Sequence, residues 1–464
     1  MKHFFFSLIC MMMLGTSTAS AQLIEFSATD TLGLGTGIVA YRGDFRNLQF
    51  TNGKMSYDNP RIEPFAEVMV MTADTMLNCV VEPGQTLKVA FVRDKKGRLT
   101  AKYKGKNSAA SHCANLLIAI GTHASLTHHE DMEDEDGNPI EIEVKPIDVE
   151  KEGNMLLQRH KATTAAAQKI ADTKLRESYI HRADIALLAA QIVLARYAEE
   201  KAGVRPYSTE AAKTLIAQIE PNDSIAFHYG LTQTFIESRM THSYKGDADV
   251  TEYAIERVRL IADNITNEEI SNTMLTELGY QVIGGSKPYV LDNFWTEYKK
   301  VASEKAINYF QSVIDSKAAT ASGKPCPDAT FSDPEGKQHK LSEWFGKGKY
   351  LYIDIWATWC IPCCTEIPYV EKLVEHYKDN HRLQFISISM DHNIDAWHKK
   401  LAKDKPQWPQ FITNKMESEQ LMKDWGITGI PRFLIIAPDG TIHDADAFRP
   451  STPDFIERMD AIIR

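Results

Sequence analysis

The chain has 464 residues, 43% of them hydrophobic, and a formal net charge of −10 from 52 Lys and Arg against 62 Asp and Glu. That length exceeds one typical domain, so two or three are expected. The acidic balance and the lack of any dense basic patch exclude nucleic acid as an expected partner.

Residues 1–21 read as a secretory leader: Lys2 and His3 open it, Phe4 to Leu14 form the apolar core, and Ala19-Ser20-Ala21 is a small-residue cleavage site. The apolar run is short for a spanning helix, which needs about 20 residues. Cys10 lies inside that run rather than at the cleavage point, which argues against a lipid anchor. Removing the leader takes away Lys2 and moves the charge to −11. The expectation is an exported protein of the periplasm or cell envelope, not membrane-spanning once the leader is cleaved. Export permits disulfides. The seven cysteines are nonetheless too few and too uneven for a scaffold: three cluster at 360–364 and the others scatter.

Residues 22–106 carry strand signals and predict a small, sandwich-like β module. Gly33, Gly35, Gly37 and Gly43 punctuate short apolar pieces; 67–71 and 86–92 read as strands, and Asp94 to Gly97 as a hairpin turn. From 107 to 320 the apolar period becomes helical. Arg182–Lys201 is the clearest helix, ended by Gly203 and Pro206, and further helices are expected at about 209–219, 223–239, 249–263 and 289–316. Gln218 to Asp223 resembles the junction of a tetratricopeptide repeat, but no second copy recurs at a fixed period. His123, His128 and His129 precede an acidic stretch, 130–138. As a calcium loop it fails, because Gly137 at the sixth position puts Met132 where Asp is required; a solvated acidic loop is the better reading. Cys79 and Cys113 are either a disulfide or two buried thiols.

An Ala-, Ser-, Gly- and Pro-rich linker at 317–328 leads into a final domain, 321–464. Strands are expected at 350–357, 383–390, 432–436 and 441–443, and helices at 362–377, 394–402, 417–425 and 453–463. That alternation predicts α/β layering around a mixed sheet. At its centre an apolar run, Tyr350 to Ala357, ends in Trp359-Cys360-Ile361-Pro362-Cys363-Cys364. Cys360 therefore stands where a buried strand becomes a helix. The first N–H groups of a helix lack intrahelical partners and its dipole is positive there. A cysteine that titrates near ~8.5 when free falls to roughly 3.5–7.5 in such a setting. Cys360 is the expected nucleophile and Cys363, one turn on, the expected resolving thiol. A zinc site would need a second CxxC or a His pair nearby, and neither is present; no metal and no cofactor is expected.

The segment Asp354 to Cys363 resembles the active-site segment of the thioredoxin superfamily, and Trp425-Gly-Ile-Thr-Gly-Ile-Pro431 resembles its cis-proline loop. Glu366, Pro368 and the leader Gly323 to Asp328 look like the exported TlpA/ResA-type thiol–disulfide oxidoreductases, a resemblance confined to about 321–464. It implies a Cys360–Cys363 redox disulfide, and a cis Ile430–Pro431 bond whose loop pairs with the substrate chain. It also implies Trp359, Pro362, Ile430 and Pro431 as substrate contacts. Asp354 matches the buried aspartate of cytosolic thioredoxins, where envelope relatives often carry Asn, and is a plausible proton acceptor for Cys363. Glu366 follows the envelope pattern and would set thiol acidity; the alternative is an exposed glutamate at a helix start. Cys326 departs from the pattern and is expected to be inert. The β module is similar to one often attached to envelope thioredoxins.

The fold class expected overall is multidomain: a small β module, a helical middle region and a C-terminal thioredoxin-like fold. The function expected is a thiol–disulfide oxidoreductase, reductive in direction, acting on protein disulfide or dithiol substrates and recharged by an envelope electron donor. A peroxiredoxin shares the fold but needs Pro and Thr where this chain has Ile353 and Ala357. An interaction protein with a secondary redox role is the alternative of another class.

Overall fold

The structure is a computed structural model that describes residues 23–28, 37–42, 44–47, 49–59, 62–72, 75–94, 97, 99–121, 146–241, 250–284 and 291–464. The secretory leader, the loop glycines Gly33, Gly35 and Gly43, and the histidine-and-acid segment 123–138 lie outside those residues. The chain divides into two compact units, 1–238 and 239–464.

The first unit opens with β1 (Ile24–Ala28), β2 (Ile38–Tyr41), β3 (Asp44–Asn47), β4 (Lys54–Tyr57), β5 (Ala66–Met71), β6 (Met76–Val81), β7 (Leu87–Arg93) and β8 (Leu99–Lys104). They form two four-stranded sheets, β4-β1-β7-β8 and β3-β2-β5-β6. Alternate residues such as Val68 and Val70 of β5 and Val89 and Phe91 of β7 meet in one buried cluster, as period-two strands require. Among the described residues six helices follow: α1 (Ser108–Gly121), α2 (Val149–Ala167), α3 (Thr173–Lys201), α4 (Glu210–Ile216), α5 (Ser224–His228) and α6 (Leu231–Glu237). Four of these starts are capped by an acceptor side chain, from Asp148, Asp172, Thr209 and Asp223. The helix expected across 223–239 is two short ones, because Gly230 takes φ 73° between them. Helices α1 to α3 bury an alanine-rich seam with Cys113 and Tyr179. Tyr179 donates to Glu67 of β5 at 2.6 Å, and Arg182 pairs with the same carboxylate. Cys79 and Cys113 are both free and buried, so they do not pair; burial pushes the thiols up to about 12 and about 11.

The second unit begins with α7 (Val250–Asn264), α8 (Glu268–Val282), α9 (Leu291–Tyr298) and α10 (Glu304–Ala319). The single helix expected at 289–316 is thus α9 and α10, with Ser303 capping the second. The α/β part comprises β9 (Thr330–Ser332), β10 (Gln338–Lys340), β11 (Tyr350–Trp356), α11 (Ile361–His376), β12 (Leu383–Ser389), α12 (Ile394–Asp404), β13 (Gln410–Ile412), α13 (Lys415–Asp424), β14 (Arg432–Ile436), β15 (Ile442–Asp444) and α14 (Phe455–Ile463). The sheet order is β10-β9-β13-β12-β11-β14-β15. Parallel pairing of β11 with β12 and antiparallel pairing with β14 make it mixed, with β11 an interior strand between the two. Leu351, Ile353 and Ile355 share one buried cluster with Trp397 of α12 and Leu421 of α13. Tyr352 joins Val370 and Leu373 of α11 and Phe455 and Met459 of α14 in another. Cover on both faces is why β11 reads as a continuous apolar run rather than an alternating one. No helix among the described residues is long and apolar enough to cross a membrane.

Packing between α8 and α10 depends on Gly279, where an added Cβ would stand 2.4 Å from the Phe310 ring. Gly279→Ala should therefore destabilise this unit by about 1–3 kcal/mol through overpacking, against the usual gain of up to ~1 kcal/mol for such a change inside a helix. All seven tryptophans lie between 295 and 425, so urea unfolding followed by tryptophan fluorescence reads this unit alone; stabilisation by Ala would contradict the packing account.

Candidate active site

The centre of the site is the handover from β11 to α11. Cys360 is the N-cap of α11, with φ −89° and ψ 96°, and Pro362 is in the first turn. Proline fits there because its missing N–H would have had no partner. The N–H of Cys363 donates to the Cys360 sulfur at 3.2 Å, and that of Cys364 to the Cys360 carbonyl at 3.0 Å. Cys360 and Cys363 are joined by a disulfide. Both are buried, at 6% and 2% exposure, while Trp359 and Ile361 beside them stand 67% and 77% exposed. The pair of sulfurs thus lies at the base of a small apolar surface. Pro362 is exposed as well.

The turn before Cys360 is pinned from below. Thr358 donates its N–H and its hydroxyl to Asp391 at 2.8 and 2.6 Å, and Ser389 donates to the same carboxylate at 2.7 Å. Asp391 is 2% exposed. Sequence reading missed it, since its only signal is an acid placed directly after an apolar strand.

The Ile430–Pro431 bond, in the loop between α13 and β14, is cis. Ile430 packs on the cluster that contains both Cys360 and Cys363.

Two further carboxyls are buried in this domain. Asp354, on β11, is 5% exposed and accepts from Ser387 at 2.9 Å. Burial raises its pKa to about 7, opposed by the Ser387 hydrogen bond and reinforced by the charge of Glu366. Glu366, on α11, is also 5% exposed, so the exposed-glutamate alternative does not hold. Both its oxygens are held by Ser451, from the N–H and the hydroxyl at 2.9 Å each, with Arg449 at 3.9 Å. Ser451 is 85 residues away along the chain, so local sequence does not show this pairing.

The other thiols are placed apart. Cys364 points back at the Thr358 and Ala357 carbonyls, 3.7 and 3.9 Å away, and burial raises its pKa. Cys326 packs on the edge of the same core, where burial pushes its thiol up to about 12. Among the described residues no group of three His, Cys, Asp or Glu is placed to hold a metal.

Residues 348–442 match the family model described as thioredoxin-like. The chain is 39% identical over 159 residues to the thiol–disulfide oxidoreductase ResA of Geobacillus kaustophilus, covering 34% of this chain and 88% of that protein. The chain belongs to the ResA-like thiol–disulfide oxidoreductases. The ResA of Geobacillus thermodenitrificans is 24% identical over 149 residues, 32% of this chain and 80% of that one. The thioredoxin domain of a Bacteroides vulgatus thiol–disulfide oxidoreductase, a solved structure, is 26% identical and covers 31% of this chain and 99% of that one, with a TM-score of 0.28. The family likeness covers the C-terminal part alone, and the chain is a thiol–disulfide oxidoreductase through that part.

The buried Asp354 gives the oxidised domain a pH signature. Its folded pKa, about 7, stands above the ordinary carboxyl value near ~3.9, so the native state holds the proton more tightly than the unfolded chain. Stability should fall as pH rises from about 4 to about 7 and then level off. Asp354→Asn removes that loss, and should be more stable than the parent by roughly 3–4 kcal/mol at pH 8 and equal to it below pH 4. Urea unfolding of the oxidised proteins at both pH values checks this; a difference independent of pH would contradict it.

Proposed function

We propose that the chain is an exported protein disulfide reductase of the periplasm or cell envelope. The observation that carries the reading is Cys360 at the N-cap of α11 with its sulfur facing the N–H of Cys363. In the reduced enzyme those N–H groups and the helix dipole favour the thiolate of Cys360. That thiolate attacks one sulfur of a substrate disulfide; the substrate S–S bond breaks and its other sulfur leaves as a thiolate. Cys363 then loses its proton to the Asp354 carboxylate and attacks Cys360. The mixed disulfide breaks, the Cys360–Cys363 bond forms, and the second substrate thiolate leaves and takes a proton from water. Two electrons have passed to the substrate, and an envelope dithiol donor restores the enzyme.

In this reading Trp359, Pro362, Ile430 and Pro431 form the surface against which the substrate chain lies. Glu366, fixed by Ser451, adds negative charge near Asp354 and so bears on the acidity of the thiols. Residues 1–21 are the cleaved leader, 22–106 and 107–320 orient the substrate, and 321–464 do the chemistry.

A Cys363→Ser variant leaves the mixed disulfide with no resolving thiol. Expressed in an envelope, it should accumulate covalent protein adducts that a reductant releases, while Cys360→Ser and the double variant should form none. Adducts through Cys363 in the Cys360→Ser protein, or none with either variant, would overturn the assignment. The direction is read separately: a reductase should hold Cys360 and Cys363 mainly as thiols at steady state, and a mainly oxidised pair would mark an oxidase.

A further inference from the structure

This inference rests on the reading of Asp354 as the proton acceptor for Cys363. Ser387 stands directly across from Asp354 in the parallel β11–β12 pair. It is 1% exposed, and its Oγ is 2.9 Å from Asp354 Oδ2. A hydroxyl can donate or accept, so this contact alone does not say where the hydrogen lies. Trp408 Nε1 lies 2.8 Å from Ser387 Oγ, and an indole N–H can only donate. With Asp354 ionised, Trp408 donates to Ser387 and Ser387 donates to Asp354, and every group in the chain is satisfied. With Asp354 protonated on its other oxygen, Ser387 still donates to Oδ2, but to a neutral carbonyl, a weaker bond than the charge-assisted one to the carboxylate. The arrangement thus favours the carboxylate.

Trp408 is itself held in place. Pro406 and Pro409 flank it, fixing the backbone φ on either side, and the Ser387 N–H donates to the Pro409 carbonyl at 3.0 Å. The indole N–H groups of Trp344, Trp356, Trp397 and Trp425 are buried in the same unit without a protein partner, whereas that of Trp408 is spent on Ser387. A small cavity of about 10 Å³, room for roughly one water, adjoins Asp354, Ser387 and Trp408 and is lined also by Leu401 and Asp404.

We propose that Ser387 and Trp408 are positioning residues that keep Asp354 a carboxylate able to take the proton of Cys363. The step balances: the Cys363 S–H breaks, its proton passes to Asp354, its electron pair forms the bond to Cys360, and the substrate sulfur leaves with the pair of the broken S–S bond. The other groups facing Asp354 are Glu366 and the Cys364 thiol from α11, and Asp404, paired with Lys400 at 2.7 Å, from α12. Tyr352 lies on the same strand as Asp354, and the register partner of Asp354 on β14 is Phe433.

The test is single-turnover release of thionitrobenzoate from its mixed disulfide with Cys360, by stopped flow on the full chain across roughly pH 5 to 9, a window spanning the acceptor's titration. In the parent protein the rate should rise with pH through one midpoint that Asp354→Asn abolishes. Ser387→Ala should move that midpoint up by about one to two pH units and slow release near neutrality about tenfold. Trp408→Phe should shift it the same way by less. Ser387→Thr keeps the hydroxyl and should restore the parent midpoint. The infrared C=O stretch of protonated Asp354 should titrate with the same midpoint in each variant. If Asp354→Asn alters the profile while neither Ser387→Ala nor Trp408→Phe moves it, the positioning role is overturned and the acceptor role stands. If Asp354→Asn leaves the profile untouched, both fall.

Discussion

One hydrogen bond organises the site: the N–H of Cys363 to the sulfur of Cys360, 3.2 Å long, at the first turn of α11. It exists because β11 runs into α11 through a tight turn, which leaves Cys360 at the N-cap where helical N–H groups lack partners. Ser, Thr, Asp or Asn would ordinarily supply the oxygen acceptor at such a position. A sulfur there accepts the same N–H and is held beside the positive end of the helix. The cap and the nucleophile are one atom.

That geometry depends on features further out. Asp391 ties down Thr358 and so fixes the turn that delivers Cys360. Full cover of β11, by clusters that include α12 and α13 on one side and α11 and α14 on the other, makes the strand a rigid support. The same burial creates the electrostatic tension of the site. Two carboxyls, Asp354 and Glu366, are removed from water within range of each other's charge, and each is compensated by its own donors, Ser387 for the first and Ser451 for the second. Proton exchange at neutral pH becomes available to Asp354 because desolvation, the largest contribution, is only partly offset by one hydroxyl.

Much of this was legible in the sequence, and the limits have physical causes. The run Tyr350 to Trp356 announced a strand covered on both faces, and the cysteines at its end announced the helix start. Strands β9, β10 and β13 were not legible, since three residues each are too few to display an alternation. The break between α5 and α6 was missed because the apolar pattern continues across Gly230, and only its positive φ separates the helices. Within the site, local spacing shows which residue types stand near the cysteines but not what holds them. Glu366 has the right helical spacing for a carboxylate near Cys363, yet its oxygens are engaged by Ser451, which only the tertiary fold brings near. Ser387 and Trp408 gave no signal at all: a serine in a strand and a tryptophan between prolines acquire meaning only through strand register.

The position of Cys360 at the start of α11 makes its sulfur acidic. The most direct measurement is a pH titration of thiolate ultraviolet absorbance in the fully reduced protein, with Cys363→Ser used to assign the first step to Cys360. The first thiolate should form within roughly pH 3.5–7.5, below the ~8.5 of a free cysteine. A Cys360 that titrates at or above the free value would contradict it.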